Sequence, residues 1–209
     1  MEYLSEFIAG ALIHLLAVVS PGPDFAMVTR NSLVYSRRTG IYSALGLGFG
    51  ISVHVIYSLV GIGLIISQSI LLFSIIKFLG AAYLIFIGFK ALRTEKTASA
   101  DNAFIKKDDL KPFSAVKMGF MTNVLNPKAT IFFLSLFTQV IDPLTPLFIQ
   151  VLYGLEMSIM TFVWFSFVAL VFSNSYFKNK FSSVQHYFER VFGVILIALG
   201  LKVALSSTK

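Results

Sequence analysis

Residues 41–76, IYSALGLGFGISVHVIYSLVGIGLIISQSILLFSII, run for 36 positions without an Asp, Glu, Lys or Arg. A helix that crosses the apolar core of a bilayer needs about 20 mostly apolar residues. The stretch is too long for one such helix and suits two, with a break near Gly61, Gly63 and Ser67-Gln68-Ser69. The whole chain has the same character. Of its 209 residues, 56% are hydrophobic and 13% are charged. That is about half the charged share of a soluble domain. Mean hydropathy is +0.82. A soluble domain of this size cannot hide so much apolar surface, whereas lipid solvates it.

Six apolar segments can be drawn, at residues 4–29, 40–67, 70–92, 113–141, 147–172 and 191–205. The expected fold is an all-α integral membrane protein of about six transmembrane helices. A five-helix reading strands one apolar segment. Of the 17 Lys and Arg, 12 fall on alternate connections, at residues 30–39, 93–117 and 173–190, and none on 67–69 or 141–146. Basic residues mark cytoplasmic loops, so both termini are expected outside. The net charge of +7 then reflects those loops rather than a nucleic-acid partner. No basic residue precedes the first apolar run, which begins behind Glu2 and Glu6. A cleavable signal peptide would carry one, so this segment is expected to stay as a helix. There is no cysteine, which removes disulfides and thiol relays.

The chain also reads as two halves. Lys77-Phe78-Leu79-Gly80 opens the third segment and Gly88-Phe89-Lys90-Ala91-Leu92 closes it. Arg190-Val191-Phe192-Gly193 and Gly200-Leu201-Lys202 do the same for the sixth. The first and fourth segments each carry a proline break. Three helices per half would place the halves in opposite orientation. Such inverted repeats, with breaks in corresponding helices, point to a secondary transporter. The expected division is 1–93 and 113–209, joined by a solvated cytoplasmic linker at 94–112.

Both breaks carry polar groups. At Ser20-Pro21-Gly22-Pro23-Asp24 two prolines remove backbone donors and disfavour helix just before them. Gly22 allows unusual backbone, and Asp24 is placed to cap the resumed helix. The second break is Thr122-Asn123-Val124-Leu125-Asn126-Pro127-Lys128. Unwound backbone at membrane depth survives where it lines protein or a wet cavity. The candidate substrate and translocation residues are therefore Pro21, Gly22, Pro23, Asp24, Asn123, Asn126, Pro127, Lys128 and Glu156. Lys128 either holds a carboxylate or snorkels to the headgroups. Glu156 is an acid inside the fifth segment. Asp24 and Glu156 are the candidates for proton coupling, since intramembrane acids mark pathways; the alternative for Glu156 is a structural partner of Lys128 or a helix–helix hydrogen bond. His14 and His54 lie in the first two segments, where packing and proton shuttling are both open.

No nucleotide loop, zinc motif or nucleophile triad is present. No enzyme, cofactor or bound metal is expected. A divalent-metal exporter using His14, His54, Asp24 and Glu156 has few ligands to draw on. A membrane enzyme or assembly subunit lacks a catalytic constellation.

Ser20-Pro21-Gly22-Pro23-Asp24 at the end of a first helix resembles the lysine exporter superfamily, in its homoserine/threonine resistance branch (LysE/RhtB). The likeness continues through residues 40–48, 80–93 and Gly119-Phe120-Met121-Thr122-Asn123-Val124-Leu125-Asn126-Pro127-Lys128-Ala129. It covers nearly the whole chain, and from Phe162 onward it holds in character alone. The resemblance implies export of threonine-, homoserine- or lysine-like amino acids by proton antiport across a bacterial inner membrane. Export of a divalent metal or another small solute is the alternative. Glycine-rich helix faces would permit a homodimer.

Overall fold

The computed structural model describes residues 2–68, 70–93, 107–142 and 144–173, with residues 187, 190–191, 193–198, 200–201 and 204–205. The expected linker at 94–112 and the basic connection at 173–190 lie largely outside the described residues. Among the described residues all regular structure is helical. The helices are α1 (Glu2–Val19), α2 (Pro23–Val34), α3 (Arg37–Gln68), α4 (Ile70–Leu92), α5 (Pro112–Val124), α6 (Pro127–Gln139) and α7 (Leu147–Val171). Helices satisfy every backbone polar group internally, which lipid demands.

Arg37–Gly61 and Leu147–Val171 are each long and apolar enough to cross a membrane. α1 and α2 together make a third candidate span, bent by 54° at the first break. Ala81–Leu92 and Pro127–Thr138 are shorter apolar helices. α3 continues through Gly61 and Gly63 to Gln68, beyond the expected break at the two glycines. The breaks read at Pro23 and Pro127 each open a helix, and Pro112, not singled out from the sequence, opens another; at that position the missing N–H would have no partner anyway.

The polar and apolar residues are sorted inside out. Outward positions of α3 and α7 are apolar, including Phe49, Ile56, Ile159 and Val163, all more than half exposed. The interior instead holds His14, Asn31, Ser43, His54 and Asn123, each 1% exposed or less. Water would not tolerate such a surface, and lipid requires it.

Glycine contacts set the helix directions. α3 and α5 run parallel, backbone against backbone: a Cβ on Gly46 would strike the Val116 carbonyl, and one on Gly119 the Ser43 carbonyl. α3 and α7 are antiparallel, with Gly48 at Ser158 and Phe162 and Gly154 at Val55. Residues 193–200 run antiparallel to α4, with Gly193 against Gly88 and Gly200 against Ala81. The glycines of residues 46–50 are thus used within the chain rather than offered to a second copy, whereas Gly61 meets nothing. Gly46→Ala is expected to force α3 and α5 apart and lower the melting temperature in detergent, at the overpacking cost of about 1–3 kcal/mol or more. Gly61→Ala should leave the melting temperature unchanged, and equal effects from the two would contradict the packing described.

Each end of the bundle is tied. At one end Glu6 accepts hydrogen bonds from the Thr145 hydroxyl (2.8 Å) and the Asp142 amide (3.4 Å), and Tyr153 donates to the Tyr3 carbonyl (2.7 Å). At the other, Arg37 donates to Ser173 (2.7 Å) and the Lys107 amide to the Val34 carbonyl (2.8 Å). Arg37, Arg38, Lys107 and Asp109 gather at this second end. Two apolar clusters fill the interior between the ties. One joins Ile51, Val55, Phe132, Phe133, Phe137 and Met157, the other Phe25, Val28, Leu47, Phe165, Val168 and Phe172.

Candidate functional site

The two proline breaks meet. A cavity of about 40 Å³ lies between the apolar clusters, lined by residues of α1, α2, α3, α5, α6 and α7. Its polar lining is Ser20, Gly22, Asp24, Asn123, Asn126 and Lys128. Its apolar lining is Ala17, Val18, Phe25, Ile51, Phe132 and Phe165, with Phe133 and Ala129. His14 adds a buried imidazole. The volume suits a few waters and falls well short of a ligand pocket of about 300 Å³ or more.

Each polar group is placed by its break. Asp24 stands in the first turn of α2, behind Pro23. The cap position falls to Gly22, with no side chain closing the helix end, so Asp24 does not serve as the N-cap. Its carboxylate turns instead toward the second break, where Asn123 Nδ2 donates to Oδ2 at 2.9 Å. Oδ1 is buried without a hydrogen-bond partner among the described residues. Asn126 does cap: its Oδ1 accepts from the Lys128 amide at 3.0 Å and closes the start of α6.

Lys128 does not snorkel. Its ammonium crosses to the first break and donates to the Ser20 carbonyl and hydroxyl, both at 3.2 Å. Its charge acts on Asp24. Gly22 has φ −170° and ψ −167°, extended backbone that any residue adopts. The glycine is therefore not required for its conformation. It keeps space open, since a Cβ there would rest 3.6 Å from Lys128 Nζ.

The N-terminal ends of α2 and α6 both start at this cavity. Helix N-termini carry free amides and partial positive charge, which favour an anionic group. One carboxylate, one ammonium and two helix starts can hold both ends of a zwitterion. Pro21, Pro23 and Pro127 shape the breaks without lining the cavity. Glu156 does not line it either; on α7 its Oε2 is buried with no partner among the described residues.

Sequence reasoning missed Ser20 as the anchor of Lys128, and it left the histidines unassigned. His14 Nε2 lies 3.3 Å from the Thr161 hydroxyl, and its Nδ1 has no partner among the described residues. His54 lies just behind the cavity, against the Asn123 carbonyl. Among the described residues no group of three or more His, Cys, Asp or Glu comes together to hold a metal ion.

The family model described as LysE type translocator matches residues 15–207. The chain is 30% identical over 203 residues to an uncharacterized membrane protein, YrhP, of Bacillus subtilis, covering 93% of this chain and 96% of that one. It is 28% identical over 206 residues to the threonine efflux protein of Escherichia coli, covering 97% and 99%. A Haemophilus influenzae membrane protein, also uncharacterized, is 27% identical over 193 residues, covering 90% and 91%. No solved structure matches.

Proposed function

The chain belongs to the LysE type translocator family, and from that premise we propose that it exports amino acids across the bacterial inner membrane by proton antiport with alternating access. The observation that carries this is that Asp24 and Lys128, from two different broken helices, line one cavity. Asp24 receives the α-ammonium of the cargo. Lys128 and the amides at the starts of α2 and α6 receive its carboxylate. The rest of the lining is mostly apolar, so a neutral side chain suits it better than a second ammonium, which would lose its water without gaining a partner. The naming of the Escherichia coli relative as a threonine efflux protein supports the same cargo class.

Several features support the finer reading. Breaks in the first and fourth segments, with α4 antiparallel to residues 193–200, fit two inverted halves at 1–93 and 113–209. The gathering of Arg37, Arg38 and Lys107 at one end favours that end as cytoplasmic and both termini as periplasmic. The small cavity fits an occluded state between outward and inward forms. A divalent cation, the alternative cargo, would need a ligand cluster of the kind not found among the described residues.

The test is efflux from proteoliposomes preloaded with a panel of amino acids under an imposed pH gradient. Efflux of one class that collapses with the gradient is expected. No efflux of any amino acid from folded protein would overturn the reading.

A further inference from the structure

We propose that His54 carries the coupling proton, as an imidazolium that straps α3 to both sides of the α5–α6 break; this rests on the export reading above. The argument is a count of protons along one chain of contacts. His54 Nε2 lies 3.0 Å from the Asn123 carbonyl. His54 Nδ1 lies 2.8 Å from the Tyr57 hydroxyl. The Tyr57 hydroxyl donates to the Thr130 carbonyl at 2.9 Å. A carbonyl only accepts, and a tyrosine has one proton to give. Three contacts therefore need three protons. A neutral imidazole and a phenol supply two. With neutral His54, one contact is empty: either Nδ1 faces the Tyr57 oxygen with no proton between them, or the hydroxyl turns to Nδ1 and releases Thr130. One added proton, on Nδ1, completes the chain.

The chain is well placed to act on the site. Asn123 ends α5 and Thr130 lies in the first turns of α6, so the strap spans the break that carries Asn126 and Lys128. Asn123 itself passes the contact on, since its side chain donates to Asp24. The ring is fully buried and stacked on Phe133, with centroids 5.6 Å apart and planes 10° apart. Asp24 of α2 is the charged group, among the described residues, whose field reaches His54. Lys128 of α6 lines the same cavity as that carboxylate. From α1, His14 stands across Phe133; from α7, Ser158 meets Ser52, two residues before His54. Among the described residues, α4 and α5 bring no charged group to the ring.

Antiport follows from competition. An imidazolium at His54 offsets the charge of Asp24 and weakens its hold on a cargo ammonium. A neutral His54 leaves Asp24 to the cargo. Proton and cargo thus exclude one another at a shared carboxylate, and each must weaken the other by the same factor. The proton arrives from outside water when the cargo leaves; on the inner side Nδ1 releases it to water, and the Tyr57 hydroxyl then turns from the Thr130 carbonyl to donate to the bare Nδ1.

Two measurements decide it. In proteoliposomes, His54→Gln should lose uphill transport driven by a pH gradient by about a hundredfold, the scale on which a positioned proton carrier acts. The same variant should retain exchange of labelled for unlabelled amino acid at equal pH, which moves no net proton. Gradient-driven transport at the unsubstituted rate would overturn the proposal, and so would equal loss of both activities, which marks a structural role. The second is ¹⁵N spectroscopy of histidine-labelled protein in nanodiscs between pH 5 and 8, the range in which histidine titrates. The signal absent from His54→Gln should show both ring nitrogens protonated at the lower pH, and Tyr57→Phe should move its midpoint. A neutral ring throughout would overturn the proposal. Absence of efflux from the unsubstituted protein would sink the export reading alone, while the spectra would still decide the state of His54.

Discussion

Asp24→Asn is expected to abolish net efflux and to leave the protein folded. The amide has the same shape, and its oxygen still accepts the Asn123 hydrogen bond that now measures 2.9 Å. What changes is the second position. Oδ1 is the buried, unpartnered oxygen of the carboxylate, and the cargo ammonium is the donor it lacks. An amide presents either a neutral oxygen or an NH₂ group that repels an ammonium. A hydrogen bond to a charged group contributes about 1.5–3 kcal/mol, and each 1.4 kcal/mol is tenfold in affinity. Cargo affinity should fall at least tenfold to a hundredfold by these figures. Net transport falls further, because competition between proton and cargo needs the negative charge. The assay is efflux from proteoliposomes beside a melting curve in detergent. Normal export by this variant would remove Asp24 from the mechanism.

Lys128→Met is expected to damage both transport and stability, and the two losses should separate on a second substitution. Methionine fills the volume of the lysine stem but donates nothing to Ser20, where Nζ now makes two hydrogen bonds at 3.2 Å. The cargo carboxylate loses its ammonium. Asp24 is left as a half-buried charge without a positive charge across the cavity, and breaking one side of a fully buried pair costs about 3–5 kcal/mol. Lys128 is only half-buried, so the lower end of that range applies. Adding Asp24→Asn should restore most of the lost stability, since no charge then remains to strand. Transport should stay absent in the double variant. Melting temperatures of the four proteins form a double-mutant cycle. Strictly additive shifts would mean that the two charges do not interact, against the geometry described.

The breaks were legible because proline is unambiguous in an apolar run. Pro23 and Pro127 each stand at the first position of a helix, and the polar residues around them could be singled out from sequence alone. Their partners could not. Lys128 reaches Ser20 across 108 positions, and His54 reaches Asn123 across 69. Nothing local in a sequence distinguishes Ser20 from any other helix-end serine. Glu156 shows the same limit from the other side. An acid in an apolar run reads much as Asp24 does, and only the phase of α7 against its neighbours separates an oxygen at the cavity from one outside it. The capping expected of Asp24 is absent, and Asn126 caps its helix instead, for a physical reason. Asp24 sits two residues past Gly22, already inside the helix, whereas Asn126 precedes Pro127 and so has the geometry to accept an amide. Six spans were the expectation from composition. Among the described residues two helices are long and apolar enough to cross a membrane, and the bent α1–α2 pair makes a third candidate.

The seam between α3 and α5 bears on how such a protein diversifies. Gly46 and Gly119 bring two backbones together with no side chain between them. A contact of that kind has nothing to vary: any replacement adds atoms where none fit. The apolar lining at Ala17, Val18, Phe25, Phe132 and Phe165 is different, since each position can grow or shrink by a methylene without breaking a hydrogen bond. Inheritance therefore acts on a molecule with a frozen spine and an adjustable lining. New cargo preferences would arise by drift at those five positions, and the chassis that moves the cargo would pass through unaltered.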